Sequence, residues 1–104
     1  MSADEVRFWA AVGFFEVPVP EALGGGYTWF ESSGTQIHLM HTDEPVVPTT
    51  GHVAVVAPDF DATVERLRAA GFEVRPGRDL WGEKRAKAVS PAGHKVELMA
   101  ASPT

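Results

Sequence analysis

With 104 residues, no cysteine and a formal charge of −5, the chain is sized for a single domain, and a disulfide framework, a thiolate metal site and a thiol nucleophile are excluded. Hydrophobic residues at 44% and charged residues at 22% match an ordinary globular protein rather than a disordered, collagen-like or coiled-coil one. Residues 1–50 hold seven acids and one base (−6) and residues 51–104 seven acids and eight bases (+1); the one basic cluster, Arg75, Arg78, Lys84, Arg85 and Lys87, is interrupted by Asp79 and Glu83, which argues against a nucleic-acid partner.

In chain order, Ser2 with Glu5 forms a capping box, flanked by Met1 and Val6 as a hydrophobic staple. A helix is expected from residue 2 or 3, carrying Val6, Trp9 and Ala10 and stopping at Gly13. Phe14 to Val19 reads as a short strand, and Gly24-Gly25-Gly26 as a flexible turn, since the Lys-Ser/Thr of a phosphate loop is absent. Tyr27–Glu31 and Thr35–His41, joined by Ser32-Ser33-Gly34, make a hairpin. Residues 42–50, with Pro45 and Pro48, read as a linker. Beyond it come a strand over Gly51–Ala57, a helix capped by Asp59 or Asp61 and ended by Gly71, and strands at Phe72–Arg75, Lys84–Val89 and His94–Ala100. Residues 51–100 are thus β-α-β-β-β, and residues 1–41 are α-β-β-β, the same module without its opening strand. The fold class is α+β: two such modules within one domain spanning 1–104, forming a curved mixed sheet with helices outside.

Alternation assigns faces. Ile37, Leu39 and His41 share one side of their strand, and Gln36, His38 and Met40 the other; Val53 and Val55 oppose His52, Ala54 and Val56; Val96 and Leu98 oppose Lys95, Glu97 and Met99. Each strand has an aliphatic face for a helix and a second face where a His or Glu sits among apolar neighbours. Such a group needs a partner or a metal. His38, His52 and Glu97 are suitable ligands for a divalent first-row ion, but their separations of 14 and 45 residues match no local metal motif. The rival reading leaves His38 and His52 half-exposed and pairs Glu97 with Lys95 or Arg85. His41 and His94 fall outside the proposed site.

Gly51-His52-Val53-Ala54-Val55, Asp59-Phe60-Asp61-Ala62 with Leu67 to Val74, and Ser90-Pro91-Ala92-Gly93-His94-Lys95-Val96-Glu97-Leu98, together with Phe8-Trp9 and Gly13-Phe14, resemble the vicinal oxygen chelate superfamily. That group includes glyoxalase I, bleomycin-resistance and fosfomycin-resistance proteins and extradiol dioxygenases. The resemblance implies that His52 and Glu97 are metal ligands, that His38 falls at a third ligand position where glutamate is more usual, and that the remaining ligand belongs to the absent first strand. It implies one divalent ion, zinc, nickel, manganese or iron, chelated by adjacent oxygens of a small substrate, with Glu97 as proton acceptor. An enzyme of this kind is a metal-dependent lyase, dioxygenase or transferase. The usual Asp-Pro-Asp-Gly turn is here Ser90-Pro91-Ala92-Gly93, and Ala86 and Lys87 replace an aromatic pair, which points to different substrate recognition.

A second reading is a metal-free drug or metabolite binder, with Trp29, Phe30, Trp81, Met40 and Met99 as cleft walls; a third is a degenerate, non-catalytic copy. Trp29, Met40, Arg85 and Met99 are the expected substrate contacts. The acidic first half suits a cationic ligand and the Arg75–Lys87 segment an anionic one. Family members pair modules, often across two subunits, so a homodimer is expected. No apolar run approaches the ~20 residues of a membrane span, and Met1 to Glu5 has no basic start or apolar signal core; a cytoplasmic protein without membrane partners is expected.

Overall fold

The first helix, α1 (Ala3–Val12), turns Phe8, Trp9 and Val12 inward and ends at Gly13, where the Phe14 amide bonds back to the Trp9 carbonyl at 2.8 Å. The structure is a computed structural model describing residues 3–103; Met1 and Ser2, half of the expected capping box and staple, lie outside the described residues. Glu5 is buried within the protein, accepting hydrogen bonds from Trp9 Nε1 at 2.9 Å and from the Ala92 amide at 2.8 Å.

β1 (Phe15–Val17), β2 (Tyr27–Ser32) and β3 (Thr35–Met40) follow, with a short 3₁₀ turn over Glu21–Leu23 between the first two. They form a three-stranded antiparallel sheet in the order β1-β2-β3. Ser33 and Gly34 between β2 and β3 both have positive φ, 48° and 85°, the two-residue turn whose twist matches a hairpin. β4 (Val53–Val56) opens the second half, followed by α2 (Phe60–Ala69), β5 (Val74–Pro76), β6 (Arg85–Val89) and β7 (Lys95–Met99). These strands form a separate four-stranded sheet in the order β4-β7-β6-β5, with β4 parallel to β7 and the other pairs antiparallel. The fold is α+β, and its strands divide between two hydrogen-bonded sheets.

Asp59 occupies the N-cap position of α2 without a side-chain cap bond, and Asp61 instead pairs with Lys84 at 2.9 Å. At the other end Gly71 takes φ +92°, a conformation open to glycine, and the Phe72 amide reaches the Leu67 carbonyl.

The core joins both halves: Phe8, Trp9, Phe30, Leu67, Val96 and Leu98 are fully buried. Phe30, a cleft candidate from sequence, is therefore a core residue; alternation places it with Thr28 on the buried side of β2, opposite Trp29. The helices are tied by Arg7 to the Ala70 carbonyl at 2.8 Å and by Arg66 to the Ala11 carbonyl at 3.2 Å. With the Glu5–Ala92 bond, these contacts fix the first sheet relative to the second. No helix among the described residues is long and apolar enough to cross a membrane.

Candidate functional site

In β7, Val96 and Leu98 enter the core, which sends Lys95, Glu97 and Met99 to the face of the sheet away from the helices. The register then sets Glu97 between Lys87 on β6 and Ala54 on β4, and Arg85 opposite Met99. His52 precedes β4 on the side of Ala54, whose small side chain leaves the imidazole a path to Glu97.

Glu97 is the centre of the arrangement. Its residue is 7% exposed, and both carboxylate oxygens are taken: His52 Nε2 donates to Oε1 at 2.9 Å and Arg85 Nε donates to Oε2 at 2.8 Å. Arg85 is itself held by the Arg78 carbonyl at 2.8 Å and by Trp81, whose ring centroid lies 5.2 Å from the guanidinium carbon. The Trp81 indole in turn donates to the Ala101 carbonyl at 3.3 Å. The other nitrogen of His52 is 3.2 Å from the Thr50 carbonyl oxygen. The Arg85 hydrogen bond, more than the contact with His52, holds the Glu97 carboxyl below its ordinary range, against the upward push of burial.

A hollow of about 560 Å³ lies beside this pair, bordered by Thr49, Thr50, His52 and Glu97. Arg75, Lys87, Lys95 and Glu73 complete its polar rim, with Val89 as its exposed apolar side chain; Ala88 and Val96 border it but turn their side chains into the core. A second hollow of about 570 Å³ is bordered by His38, Met40, His41 and His94, among others.

Of the three residues put forward as metal ligands, the chain brings His52 and Glu97 together and leaves His38 apart. His38 stands on β3, in the other sheet, with its ring stacked on Trp29 at 3.6 Å between centroids and its Nε2 2.8 Å from Gln36 Oε1. Two donors 2.9 Å apart can share one ion, since ligands each ~2.1 Å from a metal sit about 3 Å from one another. Here, however, the second oxygen of the carboxylate faces a guanidinium rather than an open position. Among the described residues no group of three or more His, Cys, Asp or Glu could hold a metal ion. Within one chain, two donors with a resident cation do not make up the three-ligand catalytic site that the resemblance implies.

The other candidates are likewise divided. Arg85 and Met99 sit side by side on the second sheet, whereas Trp29 is on β2 and Met40, 72% exposed, on β3 of the first. His41 bonds Thr28 Oγ1 at 2.7 Å, on the opposite side of β3 from His38. Sequence reasoning missed the contribution of Thr49 and Thr50, read as linker, and of Lys87, read as a departure from an aromatic pair. Alternation along β6 places Lys87 on the face of Arg85, but only the β6–β7 register puts it opposite Glu97.

The architecture recurs in known structures. A glyoxalase-family protein from Bacillus anthracis superimposes with a TM-score of 0.80 at 26% identity, over 91% of this chain and 80% of that one. The fold is shared with the fosfomycin resistance protein FosX from Listeria monocytogenes (TM-score 0.74, 23% identity, 95% of this chain and 82% of that one). It is shared also with TnmS3, an antibiotic binding protein from Streptomyces sp. CB03234 (TM-score 0.67, 20% identity, 95% and 84%). No curated protein sequence matches. The sequence profile of one family covers residues 5–98, nearly the whole of both halves, and the chain belongs to the Glyoxalase/Bleomycin resistance protein/Dioxygenase superfamily.

Proposed function

We propose that this chain is a small-molecule binding protein of the resistance type, which seats its ligand on the open face of the second sheet and works without a metal ion as a homodimer. The observation that carries the reading is the state of Glu97. A carboxylate committed to a guanidinium on one oxygen and an imidazole on the other is a satisfied polar anchor rather than a vacant ligand. His52, Thr49 and Thr50 then offer polar contacts at a hollow that also exposes the apolar side chain of Val89, the combination that orients small ligands. The fold is that of TnmS3, which binds an antibiotic. Pairing of two copies is supported by exposed large apolar side chains on both sheets: Phe15, Met40, Val53, Val56 and Val89.

Native mass spectrometry of protein purified without chelator tests the reading. The expected spectrum is a dimer with no divalent ion, to which added antibiotic-class compounds bind saturably. One divalent ion per chain, lost in His52→Ala and in Glu97→Ala, overturns the metal-free reading and restores the chelating one.

A further inference from the structure

We infer that the hollow beside Glu97 is a seat for the anionic group of a small organic ligand, with Lys87 and Lys95 as its uncompensated charges. This names the ligand class for the binding site proposed above and rests on that reading. The charges at the rim do not balance. Arg75 is paired with Glu73 at 2.7 Å. Glu97 is matched by Arg85, which stands outside the hollow, and touches His52. Lys95 donates to a neutral group, the Thr49 carbonyl, and no carboxylate among the described residues lies within ion-pair distance of Lys95 or Lys87. Two ammonium groups therefore border the hollow outside ion-pair distance of any described carboxylate.

Lys87 is opposite Glu97, and Lys95 is opposite Val89, one pleat away on the same face, so the two cations are diagonal neighbours across β6 and β7. Like charges in such positions repel, and they do so here in a chain whose net charge is −5. An anion between them removes the repulsion, and Thr49 and Thr50 at the same rim carry hydroxyls that can complete its hydrogen bonds. Val89, 55% exposed, gives the hollow an apolar side chain beside the two cations, so the group that fits is a carboxylate, phosphate or sulfonate carried on a small hydrophobic body. The acidity of the first half of the chain does not bear on this seat, because every residue of the hollow comes from 49 onward.

The test is a ¹H–¹⁵N correlation titration of the full chain at constant ionic strength with benzoate, inorganic phosphate, benzamide and benzamidine. Benzoate is expected to bind most tightly, phosphate more weakly, and both to shift amides at residues 49–52, 87–89 and 95–97. The double variant Lys87→Gln/Lys95→Gln is expected to weaken benzoate by about fivefold or more, while Lys84→Gln, which loses only its pairing with Asp61 on α2, leaves it unchanged. Both lysines are exposed, so the variant folds, as its undisturbed spectrum elsewhere will report. Binding of benzamide or benzamidine as tight as that of benzoate, or unchanged benzoate affinity in the double variant, overturns the anion seat and leaves the small-molecule reading standing. If none of the four probes binds in the hollow, the seat is refuted, and the antibiotic titration decides the broader reading separately.

Discussion

Replacing Arg85 by methionine isolates the contact on which the site depends. The Arg85 side chain is 11% exposed and that of Glu97 8%, so the substitution strands a carboxylate that is almost out of water. Removing one partner of a buried ion pair costs about 3–5 kcal/mol. Two features of this site adjust that figure. His52 remains on Oε1 and, at 36% exposure, admits some solvent, which lowers the cost; loss of the bond to the Arg78 carbonyl and of the Trp81 contact, worth about 0.5–1 kcal/mol for the ring alone, raises it. The expected loss for Arg85→Met is about 3 kcal/mol, a fall in Tm of about 12–20 °C for a chain of this size. Glu97→Leu leaves the guanidinium its carbonyl and its indole and is expected to cost about 2 kcal/mol. The double variant Arg85→Met/Glu97→Leu removes both charges together and replaces them with apolar volume, so it is expected to be no worse than either single one. Equilibrium urea denaturation followed by far-ultraviolet circular dichroism, at one protein concentration because a dimer's stability depends on it, gives the three values. A coupling energy of about 2 kcal/mol or more is expected; effects that add to within about 0.5 kcal/mol refute the claim that Arg85 is the principal partner of Glu97.

Because the folded protein holds the Glu97 carboxyl below its ordinary value, chiefly through Arg85, its contribution to stability is fully present above the unfolded value of about 4.3 and is lost as pH falls through the lower folded one. Urea midpoints from about pH 6 down to pH 3 should decline less steeply in Glu97→Gln than in the unaltered protein below about pH 4.3, and parallel curves would show that Glu97 carries no such linkage. Glu5→Ala strips the acceptor from Trp9 Nε1 and from the Ala92 amide and is expected to cost about 2–4 kcal/mol. A loss below about 1 kcal/mol in the same urea assay would mean that this carboxylate does not weld α1 to the Ser90–Gly93 turn.

Local chemistry was readable where the determining residues are near one another in the chain. Gly13 and Gly71 marked the helix ends, Ser33-Gly34 the hairpin, and alternation separated inward Ile37 and Leu39 from exposed Gln36, His38 and Met40. The same alternation, applied to neighbouring residues, would have shown that Trp29 and Phe30 cannot line one cleft. What local pattern cannot supply is register across β6 and β7. Lys95 and Arg85 were equal candidates for Glu97, one two residues along the same strand, the other on a neighbour. The fold chooses Arg85, because Lys95 turns to the Thr49 carbonyl. The division of strands into two sheets is long-range in the same sense, and it is what parts His38 from His52.

Two carboxylates are buried among the described residues, Glu5 at 1% and Glu97 at 7% exposure, and the donors described at each differ in kind. The donors described at Glu5 are an indole N–H one turn along its own helix and a backbone amide of the Ser90–Gly93 turn. Neither can leave without unpacking the core or opening that turn, so these two contacts form a fixed joint. The donors at Glu97 are two side chains, and one of them, His52, is partly in solvent at the rim of a hollow. A rotamer change there costs far less than moving backbone, and the hydrogen bond released can be offered to whatever enters the hollow. A ligand entering the hollow can therefore take the place of Glu97 at His52, which is what the proposed seat on the second sheet requires.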